Sequence, residues 1–154
     1  MRDLPNSNAD GADAARQDRL RLAIEQLYFG YRAFTESPDR ILERRGLGRV
    51  HHRILYFVGR NAQLSVNALL GLLKVSKQAL NAPLRQLIEM RLVAIETAGH
   101  DRRVRQLRLT AAGAKLEAQL TGAQIKLLEE VFEQAGAGAE AGWHRVMSCL
   151  GGKG

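Results

Sequence analysis

Val75–Leu92 reads VSKQALNAPLRQLIEMRL and has the pattern of a helix with one irregularity. Ser76 is a typical N-cap, and leucine and isoleucine recur at helical spacing in the residues that follow it. Pro83 lacks the N–H that would bond to the Ala79 carbonyl, which costs the interior of a helix about 3 kcal/mol. Two conformations fit this sequence: one helix bent at Pro83, or a second helix restarted with Ala82 as its cap. Either is expected to tilt the first turns relative to the last.

The segments on both sides of this stretch complete a recognisable arrangement. Val66–Leu73 is predicted as a short helix capped by Ser65, and only a tight turn separates it from the helix capped by Ser76. Beyond the second helix, VAIET (93–97) and VRQLRL (104–109) are β-type runs joined by the polar AGHDRR, which predicts a hairpin with a basic tip. This order is typical of a winged helix-turn-helix, whose second helix enters a major groove.

The polar face of the second helix has the chemistry to read DNA. At 100° per residue, Gln78, Asn81, Arg85 and Glu89 fall within an arc of about 80°, opposite the leucines. Asn and Gln can bind adenine through two hydrogen bonds, and Arg can bind guanine or a phosphate. Ser76 and Lys77 lie at the helix N-terminus and suit phosphates. The alternative, an ordinary solvated helix face, is disfavoured by the neighbouring basic hairpin.

The net charge of +7 is concentrated in the middle of the chain. Arg40–Thr110 contains 14 Lys or Arg and 4 Asp or Glu, whereas the two ends together are mildly acidic. A basic protein without a specific partner would spread its charge, so this distribution favours a nucleic-acid face in the middle. An arginine-rich surface that is only solvated remains the alternative.

The flanking segments predict further helices. A long amphipathic helix is expected over about Ala14–Thr35, a short one over Pro38–Leu42 and a third over Val50–Val58. Thr110 caps another long helix, and Trp143–Leu150 marks the last. The predicted organisation is a disordered arm at 1–13, N-terminal helices at 14–46, the winged helix-turn-helix at 47–110 and C-terminal helices at 111–154. The fold class is mainly α with a small β-hairpin (α+β).

Both end segments carry apolar faces that one chain of this size could not cover, which predicts an obligate dimer. The residues expected at the dimer interface are Leu20, Ile24, Leu27, Leu116, Leu120, Leu127, Val131 and Trp143.

Other classes of function find little support in the sequence. No apolar run approaches a membrane span, and a single cysteine, Cys149, fits a cytoplasmic protein without disulfides. Without a phosphate-binding glycine loop or a nucleophile motif, the chain is not expected to be an enzyme, to have catalytic residues or to carry a cofactor. His51 and His52 point about 100° apart on a helix, so no metal site is predicted.

The stretches LSVNALLGLLKVSKQALNAPLRQLIEMRLV and GHDRRVRQLRLTAAGAKL resemble the MarR family of bacterial winged-helix transcriptional regulators. The resemblance covers about Leu47–Leu120, and its most specific parts are Asp101-Arg102-Arg103 in the wing and LTAAG at Leu109–Gly113. The sequence departs from the family most at Pro83, and also at Met90-Arg91-Leu92, where a glycine is usual, and at Ala94-Ile95-Glu96, where a basic residue is common.

The resemblance implies a homodimer with interlocked terminal helices, each winged helix binding half of a palindromic operator. Arg103 would enter the minor groove with Asp101 orienting it, and His100 and Arg102 would lie near the DNA backbone. The implied DNA-binding residues are therefore Ser76, Lys77, Gln78, Asn81, Arg85, His100, Asp101, Arg102 and Arg103.

The resemblance also implies regulation by a ligand, with a small aromatic or phenolic anion as effector of a repressor. The candidate effector contacts are Tyr28, Tyr31, Arg32 and His51. Two other functions remain open: a protein-interaction module or co-regulator in which Pro83 impairs DNA reading, and a metal-responsive regulator.

Overall fold

The computed structural model describes residues 7–152, and the chain divides between Glu36 and Ser37 into two compact units. It is mainly helical with one small antiparallel sheet, which confirms the predicted class. The elements are α1 (Ser7–Glu43), α2 (Arg49–Arg60), β1 (Leu64–Ser65), α3 (Val66–Leu73), α4 (Lys77–Glu89), β2 (Val93–Ala98), β3 (Asp101–Leu109), α5 (Ala111–Ala135) and α6 (Ala139–Gly151).

Helix α1 is longer at both ends than the sequence predicted. It begins at Ser7, so the predicted disordered arm is wrong for residues 7–13, and the rest of that arm lies outside the described residues. It also continues through Pro38, where the sequence predicted a break and a separate short helix. Pro38 and Leu42 are both buried, and burial of apolar side chains offsets the hydrogen bond that a proline cannot donate.

The core of the second unit is built from leucine and isoleucine side chains of the winged helix-turn-helix. Ile54 and Leu55 on α2, Leu69 on α3, Leu87 on α4 and Leu107 on β3 are each no more than 1% exposed. The sheet has the order β1-β3-β2, with both neighbours antiparallel to β3. The two-residue strand β1 was not predicted, because only its pairing with β3 defines it.

The first turns of α5 belong to this core. Leu116 is 2% exposed and Leu120 is fully buried within the single chain, in the same cluster as the α2 side chains. Their predicted place at a dimer interface is therefore wrong. Their heptad spacing was correct, but the surface that covers them is α2 of the same chain.

A tight junction joins the end of α4 to the start of α5. Thr110 caps α5 by accepting a hydrogen bond from the Gly113 N–H at 3.0 Å, and its Oγ1 donates to the Arg91 carbonyl at 2.6 Å. The Thr110 N–H donates to the Leu92 carbonyl at 3.1 Å. A Cβ on Gly113 would lie 2.8 Å from the Leu92 carbonyl carbon, so only glycine allows this approach. The threonine and the glycine of LTAAG therefore serve to pack the start of α5 against Arg91 and Leu92.

Candidate nucleic-acid interface

Helices α3 and α4 form the predicted helix-turn-helix. The Ser65 and Ser76 hydroxyls accept hydrogen bonds from the N–H groups of Ala68 and Ala79, at 3.0 and 3.1 Å, so both predicted N-caps are confirmed. Between them, Lys74 ends α3 in the left-handed region at φ +53°, and its N–H donates to the Leu70 carbonyl. This three-residue turn fixes the angle at which α4 leaves α3.

The irregularity at Pro83 does not divide the helix. α4 is one helix over Lys77–Glu89 with Pro83 inside it, so the alternative of a second helix capped by Ala82 is wrong. Leu80, Leu84 and Leu87 are buried on one side, and their packing holds the helix together across the proline. The opposite side is left to solvent.

One flank of α4 and the wing border a common groove. From α4, Lys77, Asn81 and Arg85 line it, and from β3 Arg103 and Arg105 face them. Its floor is apolar and includes Leu84, Ile88 and Ile95, whereas Asn67 and Glu89 are among its polar lining. The structure thus brings together four of the predicted DNA-binding residues, Lys77, Asn81, Arg85 and Arg103. Ser76, Gln78, His100 and Arg102 are exposed outside this lining.

The wing is a β2–β3 hairpin whose arginines are displaced outward. Thr97 pairs with Arg105, but Ala98 pairs with Asp101, so residues 102–104 form a bulge. Asp101 Oδ1 accepts a hydrogen bond from the Arg103 N–H at 3.0 Å and lies 3.4 Å from Arg103 Nε. The Arg103 side chain is 93% exposed. Asp101 therefore holds the base of an arginine whose end is free to reach a partner.

The two departures from the family pattern that follow α4 have a local explanation. Within Met90-Arg91-Leu92, Arg91 takes the left-handed conformation that favours glycine, φ +58°, and the N–H groups of Arg91 and Leu92 donate to the carbonyls of Ile88 and Leu87. Glu96 accepts a hydrogen bond of 2.6 Å from Arg108 Nε across the hairpin. The acid at position 96 therefore pairs with an arginine on the neighbouring strand.

Sequence reasoning missed Asn67 and Arg105. Asn67 lies in the first turn of α3 and Arg105 on β3, and both line the groove with the predicted residues. Arg105 is two residues beyond Arg103, so alternation along a strand could have suggested it. Nothing in the sequence around Asn67 indicated that α3 reaches this groove.

The two adjacent histidines have separate structural partners. The Gly48 N–H donates to His51 Nδ1 at 2.9 Å, and His51 Nε2 lies 2.9 Å from Gln86 Oε1. His51 has both ring nitrogens bonded within the fold, so the effector contact predicted for it competes with these bonds.

His52 joins α2 to α5. Its Nε2 lies 3.2 Å from Thr121 Oγ1, which in turn donates to Glu117. Burial lowers the pKa of His52, and this outweighs the raising effect of nearby Glu117. Within residues 7–152, no group of three or more His, Cys, Asp or Glu side chains could hold a metal ion.

The remaining effector candidates lie on α1, in the first unit. The Arg32 guanidinium lies over the Tyr28 ring, 5.8 Å from its centroid, and Tyr28 meets Phe29 edge to face at 5.2 Å. Tyr28 is 59% exposed and Tyr31 is 41% exposed. These side chains place aromatic and cationic groups on an open helix surface.

The other predicted interface residues are exposed or half-buried in the single chain. On α1, every side chain from Asn8 to Ala33 is exposed, including Ile24 at 69%. On α5 and α6, Val131 and Trp143 are 45% and 43% exposed. Leu20 and Leu27 are exposed and Leu127 is half-buried. Among the helices of the described region, none is both long and apolar enough to cross a membrane.

Comparisons with known proteins agree with this geometry. A sequence profile of the MarR family matches residues 45–104. The chain is 41% identical over 133 residues to the HTH-type transcriptional regulator PetP of Rhodobacter capsulatus, across 86% of this chain and 80% of that protein.

Two solved structures share the fold. Streptococcus pneumoniae FabT, in complex with DNA, has a TM-score of 0.75 at 14% identity and covers 87% of this chain and 94% of its own. NadR, in complex with 4-hydroxyphenylacetate, has a TM-score of 0.67 at 21% identity, with 80% and 88% covered. The match to the MarR family profile, together with the identity with PetP over most of both chains, shows that the chain belongs to the MarR family.

Proposed function

We propose that this DNA-binding transcriptional regulator acts as a homodimer on a pseudo-palindromic operator, with one winged helix on each half-site. α4 enters the major groove and the wing reaches the adjacent minor groove. The observation that carries the proposal is the groove in which Lys77, Asn81 and Arg85 of α4 face Arg103 and Arg105 of the wing. Cations on both sides of a cleft suit a phosphate backbone, and the polar side chains between them suit base edges.

Each residue has a role that its chemistry supports. Gln78, Asn81 and Arg85 read base edges from the exposed side of α4, while Ser76 and Lys77 contact phosphates at its N-terminus. Arg103 enters the minor groove, where a narrow A·T-rich segment has a strong negative potential. Asp101 orients Arg103, and His100 and Arg102 lie along the backbone.

The homodimer is supported by the exposed apolar surface of the terminal helices. An isolated helix with all its side chains in water is only marginally stable. The apolar side chains of α1 stabilise this helix only if another surface covers them. A second copy offers such a surface in the exposed apolar residues of α5 and α6. The proposed interface residues are Leu20, Ile24, Leu27, Leu127, Val131 and Trp143.

The regulation that we propose is a shift between two populations of the dimer. A small aromatic or phenolic anion binds the form whose half-site spacing no longer fits the operator, and so relieves repression. Tyr28, Tyr31, Arg32 and His51 are the proposed contacts, since phenol rings and a guanidinium suit an aromatic anion. NadR was solved with a phenolic acid of this class.

Selection of bound sequences from a random duplex pool tests the proposal. We expect an inverted repeat whose half-sites are about 10 base pairs apart, centre to centre, and affinity that falls steeply with salt. Sedimentation should give twice the chain mass of 17.0 kDa. A single copy at micromolar concentration would refute the dimer. An affinity for duplex DNA that does not change with salt concentration would favour the protein-interaction module.

A further inference from the structure

We infer that the turn between α1 and α2 is a second DNA-backbone contact site, in which Arg44 and Arg45 bind phosphates on the side of α4 opposite the wing. This inference rests on the proposed function, because it assumes that α4 faces DNA. It adds a surface that neither the helix-turn-helix nor the wing contains.

Hydrogen bonds tie this turn to α4. Gln86 on α4 donates from Nε2 to the Gly46 carbonyl at 3.2 Å. Its Oε1 lies 2.9 Å from His51 Nε2. Because His51 Nδ1 accepts the Gly48 N–H, Nε2 must carry the proton and donate to Gln86. The chain of bonds therefore fixes both ends of the Gln86 amide and holds the turn beside α4.

The position of Gln86 on α4 shows which flank the turn occupies. At 3.6 residues per turn, Gln86 lies about 140° around the helix from Asn81, which faces the wing. Gln78 and Ala82 project between these two directions, and both are exposed. The exposed face of α4 is therefore bordered by the wing arginines on one flank and by the Arg44–Arg45 turn on the other.

The turn is closed by backbone hydrogen bonds and carries two exposed arginines. The Arg45 N–H and the Leu47 N–H both donate to the Leu42 carbonyl at 2.9 Å, and Gly46 takes φ +69° to allow this. Arg44 and Arg45 are exposed, and within the described chain neither guanidinium has an ion pair or hydrogen bond, although Glu43 precedes them.

Two other arginines of the second unit are already paired. Arg49 bonds to Asp39 at 2.9 Å and Arg108 to Glu96 at 2.6 Å. Arg44 and Arg45 have no such partner within the described residues, and backbone hydrogen bonds close the turn that carries them. Phosphate contacts on both flanks of a recognition helix fix its depth and register in the groove, which is the role that we assign to this turn.

The test compares salt dependence between variants with the same loss of charge. Binding to a random duplex is measured at several salt concentrations for wild type, for Arg44→Ala/Arg45→Ala and for Arg16→Ala/Arg19→Ala in the exposed first half of α1. We expect the slope of log K against log salt to fall by about 1.8 for the turn variant, about 0.9 for each lost phosphate contact. The α1 control should keep the wild-type slope, and Arg44→Lys/Arg45→Lys should retain most of it.

Gln86→Leu tests whether Gln86 positions the Arg44–Arg45 turn or only stabilises the fold, because this substitution removes no charge. We expect it to lower the slope in the wild-type background and to have no further effect in the Arg44→Ala/Arg45→Ala background. If it changes the melting temperature alone, the proposed role of Gln86 is wrong.

The outcomes for the turn and for the function are distinct. A steep wild-type slope that Arg44→Ala/Arg45→Ala leaves unchanged overturns this inference and leaves the proposed function intact. A wild-type protein without any salt-dependent binding overturns both.

Discussion

Replacing Gly113 by alanine should destabilise the fold, although alanine is the better helix former. Gly113 is buried in the first turn of α5, and an added Cβ would lie 2.8 Å from the Leu92 carbonyl carbon and closer still to its oxygen. Non-bonded carbon atoms prefer about 3.5–4.0 Å. The Leu92 carbonyl cannot turn aside freely, because the Thr110 N–H donates to it at 3.1 Å and the Thr110 hydroxyl, whose one proton is shared with the nearer Arg91 carbonyl, lies 3.2 Å away.

The magnitude follows from three contributions. Overpacking a well-packed site costs about 1–3 kcal/mol. Moving Leu92 away weakens the hydrogen bond from the Thr110 N–H, whose net contribution is about 1 kcal/mol. Against these, alanine gains up to about 1 kcal/mol over glycine in a helix. The net loss of unfolding free energy should therefore be about 1–3 kcal/mol.

The assay is equilibrium unfolding in urea, followed by circular dichroism at one protein concentration. The matched control is Gly122→Ala, in the same helix, where an added Cβ would meet no atom within 4 Å. Gly122→Ala should be neutral or stabilising by up to about 1 kcal/mol. If the two variants have equal stability, or if Gly113→Ala exceeds wild type, the close approach to Leu92 does not constrain this fold.

Four further changes test other parts of the structure. Pro83→Ala should raise the unfolding free energy by about 1–3 kcal/mol, because it restores a hydrogen-bond donor inside α4. It should also change the selected half-site but leave the nonspecific affinity for duplex unchanged, because it does not alter the charge. Lower stability would mean that the structure depends on the proline. Arg91→Gly should raise the unfolding free energy by about 0.5–1 kcal/mol, measured as a higher urea midpoint, because glycine adopts φ +58° without steric cost. An unchanged or lower midpoint would count against strain at this position. His52→Gln should flatten the decline of stability below pH 6.5. Burial lowers the pKa of His52, so the unfolded chain binds the proton first, and the stability present above pH 6.5 is lost as pH falls toward the folded-state pKa; equal pH profiles for variant and wild type would exclude this linkage. Arg103→Ala should reduce the salt slope of duplex binding by about one unit, measured by titration, and an unaltered slope would remove the wing from the interface.

Features determined by neighbouring residues could be predicted from the sequence. Ser65, Ser76 and Thr110 were predicted as N-caps, and each accepts a hydrogen bond from the N–H three residues later. The bounds of α3 were also correct, because its cap and its apolar spacing are both local. The hairpin followed from two β-type runs around a polar turn.

Features determined by distant residues could not be predicted from the sequence. Periodicity indicated an apolar stripe at Leu116 and Leu120, but it contains no information on whether the same chain or a second copy covers that stripe. Pro38 was read as a helix break because local rules assign proline there, whereas its burial depends on the tertiary fold. The bond between His51 and Gln86 joins residues 35 positions apart, and no sequence pattern indicates it.

The junction around Gly113 also bears on how the directions of α4 and α5 are linked. The Arg91 and Leu92 carbonyls at the end of α4 accept hydrogen bonds from Thr110, which starts α5. No flexible loop intervenes at this contact, so a change in the direction of α5 must either break these bonds or carry the end of α4 with it. On the other flank, Gln86 ties α4 to the turn that follows α1. The candidate recognition helix is thus hydrogen-bonded to the turn that follows α1 and to the start of α5, so a change in the direction of either segment must break these bonds or carry α4 with it.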